Sequence, residues 1–255
     1  MVNSRIISKA KNLVPDSIGK YLVGLQRKYR LQRIRTGTVD FGDFDRTSPV
    51  SSIFGMDRGL AIDRYYIEEF LSDNRRHITG RCLEMGDPAY IKKFGTDVTR
   101  PDVMHYVEGN PQATIVGDLT SADHIDSNSF DCIIFTQSLQ MIYDLKAALH
   151  TLHRILKPGG VLLLTSAGIS KIARQLGEDD WGEYWHLTSQ SAKALFDETF
   201  PGAEVQVDSY GNVLSAISFL HGLAAEEIDK KKLDYKDSKY EVLVVVRAIK
   251  STETR

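Results

Sequence analysis

The chain has 255 residues, 42% of them hydrophobic and 26% charged, with a formal net charge of −2. That is length enough for one large α/β domain with added N-terminal elements, or for two small domains, in a soluble globular protein. No apolar run reaches the roughly 18 residues of a membrane span and the start MVNSRIISKAKNLVPDS lacks the apolar centre of a signal peptide, so a cytoplasmic location is expected.

The near-neutral total conceals a basic N-terminus. Arg5, Lys9, Lys11, Lys20, Arg27, Lys28, Arg30, Arg33 and Arg35 are set against Asp16 alone in residues 1–35. Ile18, Leu22, Leu25 and Tyr29 fall on one side of a helix over 18–34. Such a helix either packs on its own domain with a solvated basic face, or lies on an anionic membrane or a protein partner. The basic pattern does not recur, which argues against nucleic acid. Residues 36–57 are rich in Gly, Asp and Ser and read as an irregular connection. The reading is therefore an N-terminal extension over 1–57 and a main domain over 58–255.

From there the periods alternate. A helix is expected over 62–71, then strands over 81–86, 102–109, 113–118 and 130–136. Only Asn-Pro-Gln separates the second strand from the third, too little for a crossover helix of a dozen residues. Leu145, Ala148, Leu149, Leu152, Ile155 and Leu156 sit at helical spacing, and Pro158 with Gly159 and Gly160 stops that helix. The fully apolar strand 161–166 belongs in the middle of a sheet covered on both faces. A helix over 189–200, a strand over 203–211, a helix over 213–228 and a long strand over 240–249 complete the chain. Cys82 and Cys132 lie in apolar runs and read as reduced core residues.

Strands alternating with helices imply a mostly parallel sheet, whose ligand binds outside the carboxyl ends of the strands. Those ends carry LEMGD, then Glu108, then IVGDLTSADHIDSNSFDCIIFTQSLQMIYDLKAALHTLHRILKPGGVLLLTS. From Arg81 to about Ser166 this order resembles the class I S-adenosylmethionine-dependent methyltransferases, in particular the methyltransferase type 11 group. Asp118, Phe130-Asp131 and LKPGG carry most of the likeness. The resemblance implies a Rossmann-like α/β fold, with a seven-stranded mostly parallel sheet, helices on both faces and an antiparallel last strand. It also implies S-adenosylmethionine as cofactor and S-adenosylhomocysteine as product.

The resemblance places the cofactor along the strand ends at Glu84, Gly86, Asp87, Glu108, Asp118, Leu119 and Thr136. Glu84 and Gly86 match the acidic residue and glycine beside the methionine part. The Glu84 carboxylate either anchors the ligand's ammonium or orders the loop. Pro88 stands where relatives have a second glycine, so the loop over 87–95 takes another route. Glu108 is the acidic candidate for the ribose hydroxyls, with a turn carboxylate as the other reading. Asp118 matches the aspartate facing the adenine amino group, with Leu119 beside the ring. Asp131 reads as a brace of the core. The single glycine argues against a dinucleotide, whose pyrophosphate needs G-x-G-x-x-G.

The acceptor is expected in an insert near 167–188. Trp181, Tyr184 and Trp185 offer an apolar or sugar-stacking wall, and His186 is a candidate base beside the reading of a capped structural histidine. Gln137 and Gln140 cannot act as bases at neutral pH. Asp144 is either catalytic or a helix N-cap, and Thr188 reads as an N-cap. Arg58, Arg64, Tyr65 and Tyr66 either close over the cofactor, bind an anionic acceptor, or belong to a plain packed helix. His150 and His153 read as surface or packing residues. No HExxH, CxxC or P-loop calls for a metal. The function expected is methyl transfer to a hydroxyl of a saccharide or another small molecule, the saccharide reading drawing on a general likeness to enzymes of polysaccharide and glycoside assembly. A non-catalytic scaffold that keeps the fold is the alternative. The acceptor and the oligomeric state are not legible.

Overall fold

The computed structural model describes residues 37–173 and 182–252. The expected helix over 18–34 and Trp181 lie outside the described residues. Chain compactness divides the protein after Thr47. The first unit contributes a short 3-10 turn, Gly42–Phe44, with Gly42 N donating to Asp40 Oδ1.

Seven strands form one sheet in the order β3-β2-β1-β4-β5-β7-β6. They are β1 (Gly80–Met85), β2 (Val98–His105), β3 (Ile115–Val116), β4 (Phe130–Thr136), β5 (Leu156–Ala167), β6 (Glu204–Tyr210) and β7 (Leu243–Ile249). β1 to β5 pair in parallel, while β7 runs antiparallel to both β5 and β6. This is the expected seven-stranded, mostly parallel sheet with an antiparallel last strand. The order reverses between β1 and β4, so the strand ends meeting there open a crevice.

The strand period of two assigns each central side chain to one of two cores. Ile133, Phe135, Leu162, Leu164, Val244 and Val246 face one side, against the helices α3 (Leu145–Ile155) and α4 (Ser189–Thr199). Cys82, Cys132, Ile134, Leu163, Val245 and Leu243 face the other, against α1 (Ile62–Asp73), α5 (Val213–His221) and the short α6 (Lys230–Leu233). Each wholly buried aliphatic or aromatic chain contributes roughly 1.5–3 kcal/mol, which makes the two-sided burial of the central strands the main stabilising force. Cys82 and Cys132 are both free and buried, at paired positions of β1 and β4. No helix among the described residues is long and apolar enough to cross a membrane.

Several boundaries differ from the expected ones. β2 begins at Val98 and ends at His105, so Glu108 lies in the turn beyond the strand and is exposed. The polar start Val-Thr-Arg-Pro hides this strand, because its side chains there face water. β3 shrinks to two residues, and no helix joins it to β2. The 213–228 helix stops at His221, because Gly222 takes a left-handed φ of +71° as its C-cap. A six-residue helix, α2 (Ala89–Phe94), occupies what reads as a loop.

The segment after Thr47 is tied to that same helix end. Val50 N and Ser51 N donate to His221 O at 2.8 and 3.1 Å, and the Phe54 ring lies 5.7 Å from that of Phe219. A Cβ on Gly222 would stand 2.3 Å from Ser51 O, and its φ disfavours any L side chain. Gly222→Ala is expected to lower stability by at least about 2 kcal/mol, the cost of a left-handed residue plus a backbone clash. Urea unfolding monitored by tryptophan fluorescence checks this, and a change within about 0.5 kcal/mol would contradict it.

Candidate active site

The exit of β1 is organised around one carboxylate. Glu84 is 3% exposed, and its Oε1 and Oε2 accept from Tyr90 N at 3.0 Å and Ile91 N at 2.8 Å. These are amides in the first turn of α2, which would otherwise lack partners. Desolvation pushes the Glu84 carboxyl up to about 7, against the lowering effect of the two backbone amides. The chain then turns through Gly86 at φ +80°, where an added Cβ would meet nothing within 4 Å. Asp87 Oδ1 accepts from Ala89 N, and Asn110 Nδ2 donates to Gly86 O at 2.5 Å. Asn110 thereby fastens the turn after β2 to the turn after β1.

Asp118 follows β3, half-buried, with Oδ1 accepting from Thr120 N at 2.8 Å. Leu119 beside it is 5% exposed and joins the core. Thr136 closes β4, and its carbonyl accepts from Ser138 Oγ at 2.9 Å. Gln137 comes next at φ +50°, an uncommon conformation for a residue other than glycine, held by its N–H to Thr165 O at 3.0 Å.

Beyond these ends lies a cleft of about 460 Å³. Asp63 and Arg64 of α1, Gln137, Gln140, Lys171 and Glu183 supply its polar lining, with Phe54, Met56 and Phe219 among its apolar walls. Gln140 is buried at 3% exposure and links the walls. Its Nε2 donates to Gln137 Oε1 at 2.5 Å, its Oε1 accepts from Ser166 Oγ at 3.2 Å, and its carbonyl accepts from Tyr184 N at 2.8 Å. Lys171 Nζ donates to Ser52 O at 2.7 Å and lies 4.0 Å from the centre of the Phe54 ring. Burial raises the carboxyl of Asp63. Glu183 has a side chain only 2% exposed, and its Oε1 stands 3.2 Å from His186 Nε2.

A family profile described as a methyltransferase domain matches residues 83–164. Over those residues the chain is similar to a methyltransferase domain, and its sheet is the Rossmann-like methyltransferase fold. Among solved structures, the CMeT domain of the citrinin polyketide synthase has a TM-score of 0.50 at 15% identity, with 76% of this chain and 54% of that one covered. An S-adenosylmethionine-dependent methyltransferase from Mesorhizobium loti gives 0.47 at 14% identity, covering 77% of this chain and 100% of that one. No curated protein matches. S-adenosylmethionine is the cofactor of this methyltransferase class, and the β1 exit fits it. The space at Gly86 is filled by no protein atom, so a ligand can approach the backbone there. Asp118 and Leu119 stand at the end of β3, a carboxylate and an apolar side chain suited to an amino-substituted aromatic base. When bound, the sulfonium supplies an electrophilic methyl group.

The structure brings together some of the expected site residues and places others elsewhere. Gly86, Asp87, Asp118, Leu119 and Thr136 lie at the strand ends, whereas Glu108 is an exposed turn residue three positions beyond β2. Asp144 is the N-cap of α3, accepting from Ala147 N at 3.0 Å. Thr188 caps α4 in a capping box with Ser191. Asp131 accepts from Arg81 N at 2.8 Å and Lys157 Nζ at 2.7 Å, a brace between β1 and β5. Arg58 pairs with Glu227, and Tyr65 donates to Asp234 Oδ1 at 2.5 Å, so both are engaged outside the cleft lining. Tyr66 donates to Leu233 O at 2.9 Å from a buried position. Tyr184 and Trp185 cluster with Tyr143, whose ring centre is 5.4 Å from the first and 6.0 Å from the second. Asp63, Glu183 and Asn110 are the polar residues here that spacing did not single out. Glu183 and Asn110 lie on loops, where no periodicity marks them, and Asp63 reads from the sequence as an ordinary first-turn acid of a helix.

Because the folded-state carboxyl of Glu84 lies above its ordinary value of 4.5, its contribution to stability is full below about pH 4.5 and is lost as pH rises through about 7. The loss amounts to at most about 3 kcal/mol. Glu84→Gln keeps one acceptor and cannot ionise. Between pH 5 and pH 8 its urea-unfolding free energy is expected to fall less than that of the unaltered protein. Parallel pH profiles for the two proteins would contradict the assignment.

Proposed function

We propose that this methyltransferase transfers a methyl group to a hydroxyl of a saccharide or another small molecule bound in the cleft beyond β4 and β5. The observation that carries the reading is the cleft itself. It is open, about 460 Å³ in volume, and the residues that directly follow β4 and β5 form one side of it, across from the segment leading into α1. Gln137, Gln140 and Lys171 offer donors and acceptors of the kind hydroxyl-rich ligands use. The exposed rings of Tyr143, Tyr184 and Trp185 offer flat apolar faces nearby in the chain for a sugar ring.

A hydroxyl acceptor must lose its proton during transfer. The Glu183–His186 pair is the group we assign to that task. Glu183 Oε2 accepts from Ala173 N at 2.5 Å and its Oε1 stands 3.2 Å from His186 Nε2, so the buried carboxylate orients the more exposed imidazole, which takes the proton. Asp144 is less suited, since its carboxylate caps α3. The chain's own residues would otherwise act by positioning, with Gln140 holding the β4 exit against the segment at Tyr184. The other reading, a scaffold that keeps the fold without catalysis, is favoured only by Pro88 at the place of a second glycine.

Calorimetric titration with S-adenosylhomocysteine separates the two readings. Micromolar binding is expected, with Asp118→Ala weakening it at least about tenfold through loss of a charge-assisted contact. In an assay against glycan and small hydroxylated acceptors, Glu183→Gln and His186→Ala are expected to lower kcat by about 10² or more while leaving S-adenosylhomocysteine affinity unchanged. Folded protein that does not bind at millimolar ligand would favour the scaffold.

A further inference from the structure

We propose that Arg64 and Asp63, at the start of α1, hold the zwitterionic amino-acid end of the cofactor, and that Glu84 does not. The inference rests on the methyltransferase reading and names residues outside the 83–164 match. It begins from an exclusion. The acid at the end of β1 is the obvious partner for the ligand's ammonium. Here that acid is 3% exposed, and each of its oxygens already accepts from a backbone amide of α2. Turning it outward would strip two amides of their partners in a buried place, a cost of several kcal/mol. Glu84 therefore shapes the turn at Gly86 and leaves the charged end of the ligand to other groups.

Two such groups stand side by side. Asp63 and Arg64 both line the cleft, together with Gln137 from the exit of β4. They present opposite charges on adjacent residues, the pattern that an α-ammonium and α-carboxylate on one carbon require. Asp63 Oδ1 accepts from Arg64 N at 2.7 Å, which orients the carboxylate at the helix start. The Arg64 guanidinium lies near Tyr90 and acts to lower the pKa of its hydroxyl, and the Tyr90 N–H is held by Glu84 at 3.0 Å. Arg64 is thus a near neighbour of the β1 exit. Among the described residues no carboxylate forms an ion pair with Arg64, although it is half-buried. On the helices packed near α1, Lys93 pairs with Glu68 and Lys230 with Glu69. A half-buried guanidinium that faces a cleft, with the Asp63 carboxylate nearby but no direct ion pair among the described residues, is matched to a carboxylate brought by a ligand.

An anionic acceptor would offer Arg64 the same chemistry, so the test compares two cofactor-derived ligands in the absence of acceptor. The full-length protein is titrated with S-adenosylhomocysteine and with 5′-deoxy-5′-methylthioadenosine, which keeps the nucleoside thioether and lacks the amino acid. Arg64→Ala is expected to weaken S-adenosylhomocysteine binding about 10- to 100-fold and to change methylthioadenosine binding less than about twofold. Asp63→Asn is expected to show the same selectivity, and Arg64→Lys to recover part of the affinity. Thermal unfolding of each variant confirms that it is folded. Unchanged S-adenosylhomocysteine affinity in Arg64→Ala would overturn the proposal, and so would an equal loss for both ligands. Failure of the unaltered protein to bind either ligand would instead overturn the methyltransferase reading beneath it.

Discussion

The geometry of the cofactor end depends on a buried carboxylate that accepts two backbone amides. Glu84 sits where β1 leaves the sheet, and the amides of Tyr90 and Ile91 converge on it. Without that anchor α2, only six residues long, would have little to hold its first turn, since Pro88 at its N-cap has no capping side chain. The position of Tyr90 follows from the anchor, and the contact of Tyr90 with Arg64 follows in turn. One interaction thus sets the Gly86 turn and the short helix, and with them the ring that lies near Arg64. Its ionisation is disfavoured by burial, so the anchor combines strong hydrogen bonding with a desolvation cost, a balance that shifts with pH.

The start of α1 is held from behind by long-range polar contacts. Arg58 meets Glu227, and Tyr65 meets both Asp234 and Lys230. These bonds clamp α1 to the segment after α5, and Asn212 adds to them by donating to the carbonyls of Lys232 and Tyr235 at 2.7 Å each. Exposed pairs of this kind add little to global stability, commonly less than about 1 kcal/mol. Their effect is local. They fix where α1 begins, and hence where Asp63 and Arg64 point. Arg58 and Tyr65 thus serve the cleft from behind, and not by touching its contents.

The sheet was legible because its central strands are buried on both faces. FDCIIFT and VLLLTS are continuous apolar runs, and such runs mark a parallel sheet whatever lies around them. The ends of elements were less legible, for reasons that differ. β2 opens with Thr99, Arg100 and Pro101, all exposed, so the apolar pattern starts only at Val103. α5 is followed by more apolar residues, and only the left-handed Gly222 ends it. Gly86 and Asp118 were legible as residues of strand ends, and the sheet places them there. The site was illegible where a side chain works through a partner more than a hundred residues away, as Arg58 does. Glu183 and Asn110 belong to irregular segments whose positions follow from tertiary contacts alone.

Pro88 is the departure that most invites doubt about cofactor binding, and its conformation answers it. A glycine is required where φ is positive or where a Cβ would block a ligand. Gly86 meets the first condition at φ +80°, and its surroundings leave space for the second. Pro88 stands at φ −92°, a value open to any L residue and near the range that proline prefers. It is also buried, so its ring faces the protein and not the crevice. The missing N–H costs nothing that Asp87 and Glu84 do not already supply, since the carboxylates of those residues accept the amides of Ala89, Tyr90 and Ile91. A second glycine would add chain entropy to the unfolded state without opening further space. The turn after β1 therefore reaches its shape by side-chain capping of a short helix, and the proline is a stiffening element of that turn and no obstacle to a ligand above Gly86.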